Sequence, residues 1–220
     1  MTRLPQTDWL DAAPTQRVIG ALEAEREASA RFVGGCVRNA MLNEPAGDID
    51  IATQLTPDVV ERVLKAAGCA VHHTGLEHGT LTAVCQHQPF EITTLRRDVE
   101  TDGRRAVIAF TEDWTEDASR RDFTINALYA DANGEVLDPT GQGLSDISAR
   151  RVVFVGDAGL EMEQAGCKKP QLSMPFPAGA HPKRCCRSAP PRSAPAPGGW
   201  CRALLRLARP HHEAPRRHDH

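Results

Sequence analysis

The amino-acid composition changes abruptly near Asp157, and this break limits which part of the chain can form a packed core. Ten of the 16 prolines, four of the seven cysteines and five of the nine histidines lie in residues 159–220. Residues 1–158 carry 15 basic and 25 acidic side chains, whereas residues 159–220 carry 11 basic and four acidic ones. A proline-rich, basic segment without an apolar period cannot bury enough surface to fold. We therefore predict a folded region up to residue 158 and a disordered, low-complexity tail over residues 159–220.

The overall composition is typical of a globular protein. Of the 220 residues, 40% are hydrophobic and 25% are charged, which matches soluble domains. No apolar run approaches the roughly 18 residues that a membrane-spanning helix needs, and the N terminus lacks the pattern of a signal peptide. These features predict a cytoplasmic protein with reduced cysteines. Cys36, Cys69 and Cys85 lie beside apolar residues, so we expect core side chains rather than zinc ligands.

Helical and strand patterns alternate along residues 1–158. The mixture predicts an α+β domain over residues 30–158, with a mixed β-sheet flanked by helices, preceded by a helical segment over residues 1–29. Residues 115–131 are predicted to form one helix or two short ones. Further helices are predicted over residues 15–30 and 56–68, and strands near residues 31–33, 48–53, 69–74, 80–87 and 89–95.

A glycine turn is followed, about twelve residues later, by two aspartates on one predicted strand. Gly34 and Gly35 end the strand "RFV", and Arg38 lies one turn into the next helix. A turn without Cβ atoms lets a phosphate approach backbone N–H groups closely. Asp48 and Asp50 point to the same strand face and repel each other unless a cation lies between them. Because carboxylates beside a phosphate site are natural Mg²⁺ ligands, the combination favours a nucleotide-binding metal site over a solvated strand end.

A second charged cluster lies in "SRRDFTINALY". Arg120, Arg121 and Asp122 are adjacent, in a segment whose apolar side chains can face the core. An arginine binds a phosphate through two parallel hydrogen bonds, and Asp122 would orient it. Asn126 lies four residues after Asp122 and shares its face on a helix. The alternative for adjacent arginines is a solvated helix face.

Glu91 and His78 have two interpretations each. Glu91 alternates with apolar residues in a strand pattern, and a buried strand acid requires a metal or a partner. A solvent-facing glutamate requires neither, and both interpretations stay open. His78 precedes a glycine and fits a turn better than a catalytic base.

Taken together, four segments resemble a known enzyme family. They are "RFVGGCVRNAMLNEPAGDIDIAT", "GLEHGTLTAV", "FEITTLRRDVETDGRRAVIAF" and "EDASRRDFTINALYAD". They strongly resemble the class II CCA-adding tRNA nucleotidyltransferase and bacterial poly(A) polymerase family over roughly residues 30–158. The resemblance implies a nucleotidyltransferase-type head and transfer of CMP and AMP, from CTP and ATP, to the 3′ end of a tRNA.

The resemblance also implies roles for individual residues. Asp48 and Asp50 match the family's metal-binding pair, which would hold Mg²⁺. Arg121 with Asp122 matches a motif that contacts the triphosphate and sugar, and residues 95–110 match a flexible segment near the active site. Asn39 stands where many members have an acid, and we expect it on the helix surface. The predicted catalytic residues are Asp48, Asp50 and Glu91, and the predicted nucleotide-binding residues are Gly34, Gly35, Arg38, Arg121, Asp122 and Asn126.

After Asp157 the chain departs from the family pattern. Members continue with an arginine-bearing helix that selects CTP or ATP and with later domains that hold the tRNA, and residues 159–220 match neither, which predicts impaired activity. We hypothesise that this segment is read out of frame; absence of the arginine helix from both other reading frames of the gene would contradict that. Two alternatives stay open: a poly(A) polymerase, and a non-catalytic remnant that binds nucleotide or RNA.

Overall fold

The structure is a computed structural model that describes residues 2–75, 78–99, 107–156 and 174–175. None of the helices in these ranges combines the length and apolar character that crossing a membrane requires. A 3₁₀ turn, Thr124–Asn126, follows the fifth helix. The α-helices are α1 (Asp8–Asp11), α2 (Ala13–Glu25), α3 (Gly35–Met41), α4 (Pro57–Ala66), α5 (Trp114–Ser119) and α6 (Gly143–Ser148). The strands are β1 (Thr2–Arg3), β2 (Ala30–Val33), β3 (Ile49–Thr53), β4 (Ala70–Gly75), β5 (Thr80–Cys85), β6 (Gln88–Thr94), β7 (Arg96–Val99), β8 (Val107–Phe110), β9 (Tyr129–Ala130), β10 (Glu135–Leu137), β11 (Arg151–Val152) and β12 (Met174–Pro175).

Eight of the described strands form one mixed sheet, in the order β1-β10-β9-β2-β3-β6-β5-β4. β3 and β6 are parallel, whereas the other neighbouring pairs are antiparallel. A parallel pair needs a long crossover connection, which α4 and the strands β4 and β5 supply. The sheet and its flanking helices confirm the predicted α+β fold, and β4, β5 and β6 lie within a residue or two of the predicted strands.

The two faces of the sheet bury different side chains, because side chains alternate along each strand. Phe32 and Ile51 point to one face and pack in a cluster that includes apolar residues of α2 and α4. Val33, Ala52 and Tyr129 point to the opposite face and pack with α5. The second face is the important one for function, because it also carries the candidate acidic residues.

The cysteines of the described region are buried thiols, as predicted. Burial raises the pKa of Cys36 to about 11. Burial, assisted by the neighbouring thiol of Cys85, raises the pKa of Cys69 to about 12. Thiols with such a high pKa stay protonated at neutral pH and are poor nucleophiles. These side chains therefore act as small core residues.

The prediction of a single helix over residues 115–131 is wrong. In the structure α5 ends within this segment, the 3₁₀ turn follows, and the last part forms β9. A competing backbone partner explains the break. Thr124 N donates to Val153 O at 2.9 Å, and Val155 N donates to Asp122 O at 3.1 Å. These backbone groups therefore bond to a distant segment instead of continuing the helix.

Two small sheets lie outside the main one. β7 and β8 form an antiparallel ribbon with Arg96 opposite Phe110. Residues 100–106, which belong to the predicted flexible segment of residues 95–110, lie outside the described ranges. β11 pairs with the backbone of β12. Apart from β12, residues 157–220 also lie outside the described ranges. The predicted disorder and the out-of-frame hypothesis concern this segment.

Two glycines offer an opposed pair of stability predictions. A Cβ on Gly143 would lie 2.6 Å from Thr124 O and 2.8 Å from Leu128 Cδ2, so Gly143→Ala is expected to lower the free energy of unfolding by about 1–3 kcal/mol. Gly20, inside α2, has nothing within 4 Å of such a Cβ, so Gly20→Ala is expected to add about 0.5–1 kcal/mol. Urea denaturation measures both; equal effects would contradict the packing of α6 against the 3₁₀ turn.

Candidate active site

Four side chains form one row across the middle of the sheet. Tyr129 in β9 is paired with Val33 in β2, Val33 with Asp50 in β3, and Asp50 with Glu91 in β6. Residues paired in register point to the same face, so both carboxylates lie on the face that buries Tyr129. Asp50 is half-buried and Glu91 is exposed. Glu91 is therefore not a buried strand acid, and its catalytic role stays a prediction.

Asp48 lies directly before β3, which begins at Ile49, and its side chain is exposed. It is thus close in sequence to the row but stands just outside the strand. Magnesium is commonly held by one or two carboxylates together with oxygens of the substrate phosphates, a donor set that Asp48 and Asp50 fit. Among the described residues, no group of three or more His, Cys, Asp or Glu side chains has the geometry of a metal site.

Gly34 forms the turn between β2 and α3. Its φ of 74° and ψ of −128° lie in a region that residues with a side chain rarely adopt. A Cβ on Gly34 would lie 3.7 Å from Asp50 Oδ2, and a Cβ on Gly35 would lie 3.8 Å from Arg38 Nη2. The two glycines therefore bring bare backbone next to a carboxylate and a guanidinium at the same point.

Arg38 is buried, with 8% of its surface exposed. Its Nη1 donates to Asn126 Oδ1 at 2.6 Å, and its Nε and Nη2 donate to Asn39 Oδ1 at 3.1 and 2.8 Å. Asn126 Nδ2 in turn donates to Asp122 Oδ1 at 3.1 Å. The structure thus brings Arg38, Asn126 and Asp122 together in one hydrogen-bonded chain beside the glycine turn. Asp122 and Asn126 meet although the segment that carries them is not the predicted helix.

Asn39, predicted as a helix-surface residue, makes hydrogen bonds on both sides of the site. Besides accepting from Arg38, it donates from Nδ2 to Pro45 O at 2.9 Å. One side chain therefore connects the guanidinium to the loop that leads to Asp48. The sequence offered no signal for this, because Pro45 is six residues away in an irregular segment.

Asp117, which the sequence interpretation did not single out, is a fully buried carboxylate that holds both arginines of the second motif. Its Oδ1 accepts from Arg120 Nε at 2.9 Å, and its Oδ2 accepts from Arg121 Nη2 at 2.9 Å and from Tyr129 Oη at 2.7 Å. The two arginine side chains are only 14% and 17% exposed, so they do not form a solvated face. Asp122 directs its carboxylate to Asn126 instead. Asp117 therefore orients the arginines in place of the predicted residue.

Burial and charge act in opposite directions on the pKa values of this cluster. Burial alone would raise the pKa of Asp117, but Arg121 and Arg120 outweigh it and hold the pKa below its ordinary value of 3.8. Burial raises the pKa of Tyr129. Burial opposes the charge of Arg121, yet Tyr129 and Asp117 together raise its pKa. At neutral pH the cluster therefore holds one carboxylate and two guanidinium groups, a net charge of +1.

The positions of Arg120 and Arg121, three and four residues after Asp117, are a signal that sequence reasoning could have used. Such spacings place an acid beside a base on a helix. His78, by contrast, lies in the turn before β5 as predicted, where its backbone carbonyl accepts from Arg96 Nη1 at 2.8 Å.

The glycine turn allows a matched pair of substitutions. Gly34→Ala is expected to lower the free energy of unfolding by about 1–3 kcal/mol, because a Cβ is strained at this positive φ. Gly35→Ala adds a Cβ only at ordinary contact distance and is expected to change the free energy by less than about 0.5 kcal/mol. Chemical denaturation at neutral pH measures the difference, and a Gly34→Ala protein as stable as Gly35→Ala would contradict the turn geometry.

Comparison with protein families identifies the domain. The family model for the poly(A) polymerase head domain matches residues 30–153. The chain belongs to this family. The poly(A) polymerase head domain thus includes the glycine turn, the row of Asp50 and Glu91, and the cluster around Asp117. Nucleotidyltransferases of the family use divalent metals.

Curated relatives of this head domain are named as CCA-adding proteins. The chain is 36% identical over 167 residues to CCA tRNA nucleotidyltransferase 1, mitochondrial, of Danio rerio, covering 74% of this chain and 38% of the relative. It is 43% identical over 129 residues to the Homo sapiens protein of that name, covering 58% and 30%. It is 38% identical over 159 residues to the CCA-adding enzyme of Enterococcus faecalis, covering 71% and 37%. The chain therefore spans about a third of the length of these relatives.

Solved structures show the same head domain. A crystal structure of Bacillus stearothermophilus CCA-adding enzyme in complex with CTP superposes with a TM-score of 0.59 at 32% identity, over 70% of this chain and 37% of that one. A tRNA nucleotidyltransferase complexed with a primer tRNA and an incoming ATP analog superposes with a TM-score of 0.50 at 27% identity, over 66% and 40%.

Proposed function

We propose that the chain carries the nucleotidyltransferase site of a CCA-adding enzyme, which transfers CMP and AMP from CTP and ATP to the 3′ end of a tRNA, with Mg²⁺ held by Asp48 and Asp50. The observation that carries the proposal is the approach of the Asp50 carboxylate to the bare Gly34 turn. The names of the relatives support the substrates. The chain spans about a third of the length of those relatives. Binding of tRNA and complete addition of CCA are therefore proposed for it by analogy with the longer proteins.

In this reaction the 3′-hydroxyl oxygen of the RNA forms a bond to the α-phosphorus of the nucleotide. The bond between the α-phosphorus and the bridging oxygen to the β-phosphate breaks, pyrophosphate leaves, and the hydroxyl proton passes to solvent. When bound, Mg²⁺ supplies neutralisation of the phosphate charge and a lower pKa for the attacking hydroxyl. Asp48 and Asp50 would contribute the protein oxygens for the ion, and the Asp50 carboxylate lies beside the glycine turn.

The remaining residues act by positioning, which is how a protein site accelerates group transfer that requires no protein nucleophile. Gly34 and Gly35 admit the phosphates to the backbone, since no Cβ intervenes. Asn126 and Asn39 hold the Arg38 guanidinium at the edge of this turn. Arg38 is thereby pre-organised, so binding an anion costs little side-chain entropy.

Cytoplasmic location stays a prediction, because relatives from zebrafish and human carry the word mitochondrial in their names. Poly(A) addition and simple nucleotide or RNA binding by the head are the competing functions. Poly(A) addition would use the same site and give a different product, whereas simple binding would give no product.

The proposal is tested by incubating the full chain with Mg²⁺, labelled CTP or ATP, and tRNA that lacks its terminal nucleotides. Addition of C, C and then A supports the proposed function. Long runs of A would instead identify a poly(A) polymerase. No incorporation, together with metal-dependent binding of CTP, would identify a binding remnant and contradict the catalytic proposal.

A further inference from the structure

We propose that Asp117 and Tyr129 are positioning residues that fix the Arg121 guanidinium over the face of Asp50, where it binds the triphosphate of the nucleotide. The inference rests on the proposed function for its ligand. It adds two residues that do not themselves touch the nucleotide, and it assigns the orientation of Arg121 to a buried carboxylate and a phenol.

The first observation is the way in which Arg121 is held. Its Nη2 and Nε donate to Asp117 Oδ2 at 2.9 and 3.2 Å, and Nε also lies 3.0 Å from Tyr129 Oη. Its guanidinium carbon lies 5.2 Å from the centre of the Tyr129 ring. These contacts use the Nε and Nη2 edge of the guanidinium. The Nη1 group lies on the other side of the guanidinium, and none of these contacts uses it.

The second observation is the position of Tyr129 in the sheet. Tyr129 is paired with Val33, and Val33 is paired with Asp50. Neighbouring strands lie about 4.8 Å apart, so Tyr129 and Asp50 are about 10 Å apart along the row. Both side chains point to the same face. A guanidinium held by the Tyr129 hydroxyl consequently lies on the face that carries the metal-binding carboxylate, within the reach of a triphosphate.

The third observation is the charge balance. One buried carboxylate, Asp117, serves two guanidinium groups, those of Arg120 and Arg121. The surplus positive charge in a largely desolvated place favours a bound anion. The same carboxylate also accepts from Arg96 N at 3.2 Å, while Arg120 Nε donates to Arg96 O at 3.1 Å. Asp117 thus fixes the base of the β7–β8 ribbon together with the arginines, so Arg121 is set in a rigid frame.

The test compares binding of magnesium tripolyphosphate and of CTP to full-length variants by titration calorimetry. Tyr129→Phe keeps the ring and removes both hydrogen bonds of the hydroxyl, the one accepted from Arg121 Nε and the one donated to Asp117 Oδ2. It is expected to weaken tripolyphosphate binding about three- to tenfold. Asp117→Asn is expected to weaken it about tenfold or more, because the guanidinium loses its charged partner. Cytidine, which has no phosphate, is expected to bind equally to all variants.

Glu116→Gln is the matched control. Glu116 is the neighbour of Asp117 in sequence and its side chain is exposed, so the substitution removes the same charge without touching the buried cluster. If Asp117 acted only through its charge, its removal would strengthen binding of an anion, as Glu116→Gln is expected to do slightly. Weaker binding in Asp117→Asn and Tyr129→Phe, with unchanged circular dichroism, supports the positioning role. Equal or tighter binding in a folded Tyr129→Phe protein overturns it. A wild-type chain that binds no triphosphate overturns the proposed function itself, and this inference with it.

Discussion

Replacement of Asp50 by asparagine is expected to lower nucleotide transfer to tRNA by about 100-fold or more, without unfolding the protein. The asparagine side chain would keep the size of the aspartate but would lose the charge that holds a divalent cation. Asp50 is half-buried beside Gly34, so its carboxylate is held next to the turn where the proposed ion would bind. The rate of labelled CTP incorporation at saturating Mg²⁺ measures the effect.

Asp58→Asn is a suitable control for this experiment. Asp58 is an exposed aspartate in the first turn of α4, outside the row of Asp50. The control is expected to transfer nucleotide at the wild-type rate, and Asp48→Asn is expected to behave like Asp50→Asn. An Asp50→Asn protein with more than about a tenth of the wild-type rate would remove Asp50 from the metal site.

The second large effect concerns stability. Asp117→Asn is expected to lower the free energy of unfolding at pH 7 by about 3 kcal/mol, because it leaves the buried edges of Arg120 and Arg121 without their counter-charge. The folded-state pKa of Asp117 lies below its ordinary value of 3.8. The stabilisation from Asp117 is therefore fully present above about pH 5, and it is lost as the pH falls through the ordinary and then the lower folded-state pKa.

Urea denaturation between pH 3 and pH 7 measures this dependence. The difference in unfolding free energy between the wild type and Asp117→Asn is expected to be constant above about pH 5 and to shrink below pH 4. Glu116→Gln, which alters a side chain that is 43% exposed, is expected to change the free energy by less than about 0.5 kcal/mol. A difference that stayed constant down to pH 3 would show that Asp117 is not the carboxylate that titrates.

The fold could be predicted well where local sequence signals agreed. The strand, glycine turn and helix around Gly34 followed from the order of apolar residues and the paired glycines. The helix α4 followed from Thr56, Pro57 and Gly68, which mark its ends, although Thr56 makes no side-chain capping bond. In these segments local preference and tertiary packing favour the same structure, so period and turn residues were sufficient.

Prediction failed where a long-range contact decides the structure. Residues 122–124 bond to residues 153–155, which no local pattern between positions 115 and 131 reveals. For the same reason, the roles of Asn39 and Asp117 emerged only with the fold. Asp117 looked like one acid among several at the start of a helix, whereas its complete burial depends on β9 and Tyr129. The cross-strand pairing of Asp50 with Glu91 likewise needs the parallel register of β3 and β6.

The most direct test of the central claim is calorimetric titration of CTP into the full chain with and without Mg²⁺, repeated with the double variant Asp48→Asn, Asp50→Asn. The metal site predicts that Mg²⁺ strengthens CTP binding to the wild type and has no effect on CTP binding to the folded double variant. Equal strengthening by Mg²⁺ in both proteins would show that the two aspartates do not hold the metal, and it would contradict the account.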